Sequence, residues 1–295
     1  MESDPDREQA TPEFDLEPDE EPSGEGERPR GRRETMRRVL WAIPWVVFAI
    51  VIVAAGGAVF TLALIGLGVI GIRELFAMGR QYRPLAAPAF FTIATLLLAA
   101  HFGDPFHVLL WAAIGFPVMF AAALDRDDRA GITTSMAFTV FGVAWIGIPL
   151  VHAILLRDLP LHGGALLVDV LIATVAADTA AYGAGRLFGS RKITPRISPN
   201  KTLEGLIGGF FGGTMGFWFA GLYQDWLSGT DALLMGAVIA LLAPLGDLFE
   251  SMIKRDLDVK DTGRIFGPHG GLLDRLDAIF FTVVAGYYLS IAFVY

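Results

Sequence analysis

The polar stretch from Gly246 to Asp277 carries the side chains best suited to chemistry, and it lies between two long apolar runs. It contains six Asp, one Glu, five Lys or Arg, one His and five Gly. Carboxylates in this number, with no cysteine and one histidine, favour a hard cation with oxygen ligands, Mg²⁺ before Zn²⁺. Mg²⁺ usually binds one or two carboxylates together with substrate phosphates, which the basic side chains here could neutralise. The composition therefore predicts a site for a metal ion and a phosphorylated ligand.

Helical spacing would bring most of these groups together. Four of them lie on one helix face, at spacings of three, four and seven residues: Asp247, Glu250, Ser251 and Lys254. Asp274 and Asp277 would likewise share a face at the start of the next helix. Gly270 and Gly271, just before them, would let a ligand approach the backbone closely, where free helix amides suit an anion.

For several of these residues, a structural role would explain the sequence as well as a role in binding. Any one basic side chain could be an ordinary positive charge of a cytoplasmic loop. His269 either positions a ligand or stabilises its loop. Asp178 is a candidate binding residue, because an unpartnered carboxylate at membrane depth costs at least about 2.5 kcal/mol. Its structural alternative is an ion pair with Arg186 or Lys201. Asp169, in the same apolar run, is expected in solvent at the other end of the helix.

The elements that must position these residues are membrane-spanning helices. Of the 295 residues, 54% are hydrophobic and 18% are charged, which is typical of an integral membrane protein. The chain has no cysteine, and this excludes disulfides, Cys-ligated zinc, iron–sulfur clusters and thiol nucleophiles. We predict an all-α, polytopic membrane protein.

About nine spanning helices are expected. The run over 39–72 has 34 residues, and as a helix it would be about 51 Å long against a hydrocarbon core of about 30 Å. We therefore divide it at 54–57, where the sequence reads Ala-Ala-Gly-Gly. Glycines at spacing four between Gly205 and Gly216 predict close helix packing rather than chemistry. The other runs are each near spanning length: 85–102, 106–124, 132–156, 165–182, 203–223, 232–249 and 276–295.

The positive charges predict the orientation of the helices. With the amino terminus inside, 22 of the 23 Lys and Arg residues fall in cytoplasmic segments, and only Arg157 falls outside, in agreement with the positive-inside rule. The carboxyl terminus would then face the opposite side. The last four helices and their loops would form an active site at the cytoplasmic face of the cell membrane.

Three regions are predicted along the chain. Residues 1–38 form an acidic tail, with twelve Asp or Glu against one Arg in the first 27 residues. Such a segment buries too little apolar surface to offset its ordering entropy, so we expect disorder. The tail ends in a basic cluster over 28–38, which suits anionic lipid headgroups. Residues 39–164 would hold about five helices, and residues 165–295 about four helices with the catalytic groups.

These motifs are similar to those of a known family. The similarity covers roughly residues 165–295 and includes Gly246-Asp247-Leu248-x-Glu250, Ser198-Pro199-Asn200-Lys201-Thr202-x-Glu204-Gly205 and Asp178-x2-Ala181-Tyr182-x2-Gly185. The sequence differs from the family pattern at one place. It has Gly267-Pro268 before His-Gly-Gly, where members of that family usually have Pro-Gly. The longest pattern resembles the signature of the phosphatidate cytidylyltransferases, or CDP-diacylglycerol synthases: Ser251-x-Ile253-Lys254-Arg255-x4-Lys260-Asp261-x-Gly263-x2-Phe266-Gly267-x-His269-Gly270-Gly271-Leu272-x-Asp274-Arg275-Leu276-Asp277.

The resemblance implies a Mg²⁺-dependent transfer of a cytidylyl group from CTP to phosphatidic acid, giving CDP-diacylglycerol and pyrophosphate in phospholipid biosynthesis. Asp247 and Asp274 match metal positions and would hold Mg²⁺, with Asp261 and Asp277 as further ligands or supporting residues. The number of bound cations stays open. The other implied catalytic residues are basic and would hold the phosphates: Lys254, Arg255, Lys260 and Arg275. The implied substrate-binding residues are Asp178, Ser198, Lys201, Thr202, Glu204, Ser251, His269, Gly270 and Gly271.

Two other functions fit part of the pattern. An ion-coupled transporter would also carry acids in broken helices, but it predicts charges deep in several helices, whereas these cluster at one face. A related enzyme could act on a different lipid phosphate, such as that of an isoprenoid ether lipid. The expected partners are CTP, phosphatidic acid and the lipid bilayer, with no nucleic acid, and a homodimer is left open.

Overall fold

The computed structural model describes residues 47–127, 130–263 and 270–295. Residues 49–295 form one compact unit. The predicted boundary at 164/165 falls within this unit and stays a prediction. The predicted tail over 1–38, the Gly267-Pro268 turn and His269 lie outside the described residues.

The first half of the unit is a series of apolar helices. Residues 49–55 are helical, and Gly56, at φ 59°, separates them from the next helix. This break lies within the predicted division at 54–57. The following helices are α1 (Gly57–Met78), α2 (Ala86–Phe102), α3 (Pro105–Leu124), α4 (Ile132–Gly142) and α5 (Ile148–Arg157). A π-helical turn over Val143–Gly147 joins α4 to α5, so Ile132–Arg157 is one continuous span, as predicted.

The second half contains four longer helices and one hairpin. The helices are α6 (Gly163–Phe188), α7 (Leu203–Gly221), α8 (Gly229–Asp256) and α9 (Leu273–Phe293). The polar segment after α6, expected as a loop, forms an antiparallel pair of strands, β1 (Lys192–Thr194) and β2 (Ser198–Thr202). In this pair Lys192 faces Thr202 and Thr194 faces Ser198. The hairpin returns the chain to the end of the bundle that α6 has just left.

The described residues form a nearly all-helical membrane protein. Among them, six helices are long and apolar enough to cross a membrane: Gly57–Met78, Pro105–Leu124, Ile132–Arg157, Gly163–Phe188, Gly229–Asp256 and Leu273–Phe293. Ala86–Phe102 is apolar but shorter. The predicted fold class is confirmed, whereas the number nine is not.

Small residues let α6 and α7 pack backbone to backbone. A Cβ atom added at Gly213 would lie 2.9 Å from the Ala177 Cβ, and one at Gly216 would lie 2.7 Å from the Ala176 Cβ. These distances are too short for any larger side chain. The glycine rows of α7 therefore serve packing, as predicted, and they bring the start of α7 beside the end of α6.

Helices α8 and α9 also cross closely, at Gly246. A Cβ atom at this position would collide with the carbonyl oxygen of Asp277. The buried hydroxyl of Thr174 donates to Thr282 at 2.9 Å and joins α6 to α9. Four helices thus meet at one end of the bundle, called here the site end: the last turns of α6 and α8 and the first turns of α7 and α9.

Candidate active site at one end of the bundle

Asp247 on α8 is held by an ammonium group from the hairpin. Lys201 Nζ lies 2.8 Å from Asp247 Oδ2 and also donates to the carbonyl of Pro244 at 3.1 Å. Ser251, one turn further along α8, donates its hydroxyl to Asp247 Oδ1 at 3.3 Å. The predicted shared face of α8 is therefore present, and β2 supplies its cation.

Lys254, on the same face of α8, joins two further carboxylates. Its Nζ lies 2.8 Å from Glu250 Oε1 and donates to Asp274 Oδ1 of α9 at 2.7 Å. Glu250 is fully buried, and its other oxygen, Oε2, has no hydrogen-bond donor among the described residues. A single ammonium contact leaves this buried carboxylate with unused acceptor capacity.

The other oxygen of Asp274 is fixed by backbone and hydroxyl groups. Asp274 Oδ2 accepts from the N–H of Gly271 at 2.7 Å, from the N–H of Thr262 at 3.1 Å and from the Thr262 hydroxyl at 2.9 Å. Gly270 has φ 84°, a left-handed conformation that side chains disfavour, and a Cβ there would lie 2.6 Å from Asp274 Oδ2. The two glycines therefore let the loop wrap the carboxylate, which leaves Oδ1 facing Lys254.

Asp277 and Asp178 complete a group of five acids, called here the carboxylate cluster: Asp178, Asp247, Glu250, Asp274 and Asp277. Asp277 repels Asp247 and Asp178 electrostatically, and it also repels Glu250. Asp178 is attracted to Lys201, whereas Arg186 donates to the hydroxyl of Tyr182 at 3.0 Å. In the described part of the chain, the hydrogen bonds and ion pairs of the cluster involve two lysines, Lys201 and Lys254. The cluster therefore has a surplus of negative charge over these two ammonium groups.

The predicted binding residues of the hairpin brace the loop. Glu204 accepts from the Ser190 hydroxyl at 2.6 Å and from the N–H groups of Ser190 and Arg191 at 3.1 and 3.3 Å. Thr202 caps α7 by accepting from the Gly205 N–H at 3.1 Å. Ser198 begins β2. These contacts fix the strand from which Lys201 reaches Asp247.

The remaining predicted residues are exposed or lie outside the described residues. Arg255 is exposed, and its Nε donates to the carbonyl of Ile197 at 3.3 Å, which ties α8 to the hairpin. Arg275 is exposed on α9. Lys260 and Asp261 are exposed, and within the described ranges no hydrogen bond or ion pair joins them to the cluster. Their predicted phosphate-binding and metal-binding roles stay predictions, as does that of His269.

Sequence comparison identifies the family of this site. The model of the cytidylyltransferase family matches residues 36–293 of the chain. The chain belongs to the cytidylyltransferase family. The predicted family, and with it the prediction of a nucleotidyltransferase enzyme, is confirmed.

Individual relatives differ in how much of their length this cytidylyltransferase matches. A Staphylococcus haemolyticus protein named phosphatidate cytidylyltransferase is 30% identical over 83% of this chain and 95% of its own length. A Synechocystis protein of the same name is 33% identical over 86% of this chain and 96% of its own length. The uncharacterized Escherichia coli protein YnbB is 38% identical over 59% of this chain, and the match spans only 60% of that relative.

The oxygen ligands that this cytidylyltransferase offers in the carboxylate cluster are of the kind that Mg²⁺ prefers. In 47–127, 130–263 and 270–295, no three carboxylate or imidazole groups converge as a ready-made metal cage. The cluster nevertheless offers only oxygen ligands, has excess negative charge and contains the unsatisfied carboxylate of Glu250. Such groups suit a hard cation that shares its coordination with substrate phosphates.

Two residues of the cytidylyltransferase site were missed by the sequence interpretation. Thr262 occupies an unassigned position of the signature, yet its hydroxyl and N–H both contact Asp274. Glu74 belongs to α1 in the first half of the chain and contacts the start of α9. The sequence offered no signal for Glu74, because it lies beside Arg73, just beyond the apolar run predicted over 39–72.

The prediction for Asp169 was wrong. Asp169 is only 2% exposed, and both of its oxygens accept from Gln224 Nε2, at 3.0 and 2.8 Å. Helix α6 begins at Gly163 rather than 165, and the segment after α7 folds over its first turns. Packing by a distant segment, which local hydropathy does not report, removes this carboxylate from solvent.

Proposed function

We propose that this cytidylyltransferase catalyses Mg²⁺-dependent transfer of a cytidylyl group from CTP to phosphatidic acid, giving CDP-diacylglycerol and pyrophosphate in phospholipid biosynthesis. The observation that carries the proposal is the carboxylate cluster, with its two paired lysines, at one end of a bundle of apolar helices. A site of this kind suits a metal-bound triphosphate, and its apolar surroundings suit a diacyl lipid. The names of the relatives support phosphatidate as the acceptor and a cytidylyl group as the part transferred.

The cations of the site would bind the triphosphate. Lys201 and Lys254 are paired with Asp247 and Asp274 at 2.8 and 2.7 Å. A divalent cation held by these carboxylates would repel the two ammonium groups, and both lysines would then be placed to bind the phosphates. The predicted helpers are Arg255, Lys260 and Arg275.

Asp247 and Asp274 would hold Mg²⁺, with Asp277, Asp261 and the unsatisfied Glu250 as further acceptors. When bound, Mg²⁺ supplies neutralisation of the phosphate charge and orientation of the triphosphate. The protein contributes a fixed Asp274, because three donors already hold its Oδ2. Such preorganisation lowers the cost of bringing the reactants together.

The proposed reaction does not require a catalytic base. A phosphate oxygen of phosphatidic acid attacks the α-phosphorus of CTP, a new P–O bond forms, and the bond to the β-phosphate oxygen breaks. The electron pair leaves with pyrophosphate, whose charge the lysines would neutralise. The attacking phosphate monoester is largely ionised near neutral pH, since its second pKa is about 6.

The proposed site faces the cytoplasm, where CTP is present. This orientation rests on the distribution of 22 of the 23 Lys and Arg residues to one side of the predicted spans. In this orientation the carboxyl terminus faces the opposite side of the cell membrane. Cysteines introduced at Lys192 and Asp225 would test it with a membrane-impermeant thiol reagent, because the chain has no cysteine of its own.

The direct test is to incubate purified, folded protein with labelled CTP, phosphatidic acid and Mg²⁺. We expect a labelled lipid and release of pyrophosphate. No labelled lipid from folded protein would overturn the proposed reaction. Replacing phosphatidic acid by an isoprenoid ether-lipid phosphate in the same assay separates the two lipid classes by their kcat/KM values.

A further inference from the structure

We propose that Glu74, a residue of α1 far outside the signature, positions Asp274 for catalysis. The inference rests on the proposed function, because it assigns Asp274 a role in that reaction. Glu74 lies 188 residues from Thr262 and 198 residues from Leu272 along the chain. It is 5% exposed, so it acts as a positioning residue and not as a group that touches substrate.

The carboxylate of Glu74 binds the first turn of α9 from outside that helix. Its Oε1 accepts from the N–H of Leu272 at 2.9 Å, and its Oε2 accepts from the N–H of Leu273 at 3.0 Å. The first N–H groups of a helix have no partner within the helix, and a carboxylate also interacts favourably with the helix dipole there. Helix α9 has no side-chain cap of its own at Leu272. Glu74 supplies this missing cap.

The same backbone segment binds Asp274. Three consecutive N–H groups bind the two acids: that of Gly271 donates to Asp274 at 2.7 Å, and those of Leu272 and Leu273 donate to Glu74. The Thr262 hydroxyl donates to Asp274 at 2.9 Å and lies 3.3 Å from Glu74 Oε2. Because the two carboxylates bind consecutive amides of one backbone segment and both contact the Thr262 hydroxyl, a shift of Glu74 would move Asp274 relative to Lys254.

Two glycines of the signature make room for Glu74. A Cβ atom at Gly263 would lie 2.6 Å from Glu74 Oε1, and one at Gly271 would lie 2.6 Å from Glu74 Oε2 and collide with the Thr262 hydroxyl. Distances this short require a neighbour to move. The absence of a side chain at Gly263 and Gly271 thus leaves room for a carboxylate that comes from the first half of the chain.

Apolar contacts already attach α1 to α9 without this carboxylate. Gly71, nearly one turn before Glu74, lies against Leu273, and Leu273 itself is fully buried. A buried carboxylate that binds two backbone amides adds orientation to this packing, since hydrogen bonds constrain direction and apolar contacts do not. A hydrophobic residue at position 74 could hold the helices together but could not hold the amides.

The test is Glu74→Gln, with Asp169→Asn as the matched control of a buried acid at the opposite end of the bundle. The amide of Gln presents an NH₂ group toward N–H donors, so it cannot satisfy both amides of α9. We expect kcat per folded molecule to fall by about 10–100-fold, as for residues that support metal ligands, with a higher Mg²⁺ requirement. The melting temperature should also fall modestly, because one amide of α9 loses its acceptor. The control should keep its kcat. Protection of each protein against thermal unfolding by CTP with Mg²⁺ gives a readout independent of turnover, and Glu74→Gln should weaken it.

A steric test uses Gly263→Ala, alone and together with Glu74→Asp. The shorter Asp side chain vacates the space that the added methyl group needs, so Gly263→Ala should lower activity in the wild-type background and cost little in the Glu74→Asp background. This test remains decisive if Glu74→Gln gives little folded protein. Independent effects of the two substitutions would overturn the steric part of the inference.

The outcomes separate the inference from the proposed function. An inactive wild-type protein rejects the proposed reaction. An active wild-type protein whose Glu74→Gln variant keeps the normal kcat and Mg²⁺ dependence rejects only the role of Glu74. A fall in melting temperature without a fall in kcat per folded molecule would also reject it, because that result describes a purely structural residue.

Discussion

The two ends of the helix bundle both contain ionisable groups, but they use them differently. At the opposite end, Asp169 is matched by Gln224, and His101 contacts Asp158 at 2.8 Å. At the site end, Lys254 is shared between two carboxylates, and Glu250 Oε2 has no hydrogen-bond donor in the described structure. Matched pairs stabilise a fold, whereas a surplus of one charge invites a ligand of the other. A group of neighbouring carboxylates that share two lysines, more than charge as such, distinguishes the site.

The largest effect on activity should come from Asp274→Asn. The substitution keeps the shape of the side chain but places an NH₂ group among donors or against Lys254. We expect turnover to fall by at least about 100-fold, since even residues that only support a metal ligand typically cost 10–100-fold. Initial rates of labelled lipid formation measure this. Near-normal activity would remove Asp274 from the metal site, and Asp169→Asn, at the matched end, should remain active.

Lys201→Met should have the next largest effect. It removes the ammonium that lies 2.8 Å from Asp247 and is proposed to bind phosphate. Hydrogen bonds to charged groups contribute about 1.5–3 kcal/mol, or roughly 10–100-fold in kcat/KM for CTP. The control is Lys192→Met, at an exposed position of the same hairpin. Equal losses in both variants would mean that the general charge of the hairpin, and not Lys201, matters.

Ser190→Ala should lower activity only a few-fold. It removes the hydroxyl that donates to Glu204 at 2.6 Å, and such a bond is worth about 0.5–1.5 kcal/mol. The Glu204→Gln variant in the same kinetic assay distinguishes two roles of Glu204, bracing of the hairpin and contact with the substrate. Similar losses would support bracing of the hairpin, whereas a much larger loss for Glu204→Gln would support direct contact with substrate.

Gln224→Leu should leave activity unchanged and lower stability. It strands the carboxylate of Asp169, which is 2% exposed, and an unsatisfied buried acceptor costs about 1–3 kcal/mol. Thermal unfolding in detergent measures the loss, with the exposed Asp225→Ala as control. A fall in kcat per folded molecule would show that the two ends are coupled and would weaken the contrast between them.

Much of the site could be predicted because it depends on local spacing. Asp247, Ser251 and Lys254 share a face of α8 since four residues make about one helical turn. Gly270 was singled out as a place where a ligand could approach the backbone; its φ is 84°, and the ligand contact stays a prediction. Glu204 was assigned to substrate from its motif, yet its observed partners are loop groups, Ser190 and Arg191. Sequence spacing indicates which residues are neighbours on the same helix or strand. It does not indicate which residues of other helices or strands a side chain contacts.

The sequence by itself determined the apolar helices, the break near Gly56, the glycine packing of α7 and the stretch that carries the acids, because hydropathy, helical periodicity and residue size are local properties. Only the tertiary structure decided that Lys201 pairs with Asp247, that Asp169 is buried and that Glu74 caps α9. These contacts join residues 46 to 199 positions apart. They depend on how helices cross, and the crossing is set by the collective packing of many side chains.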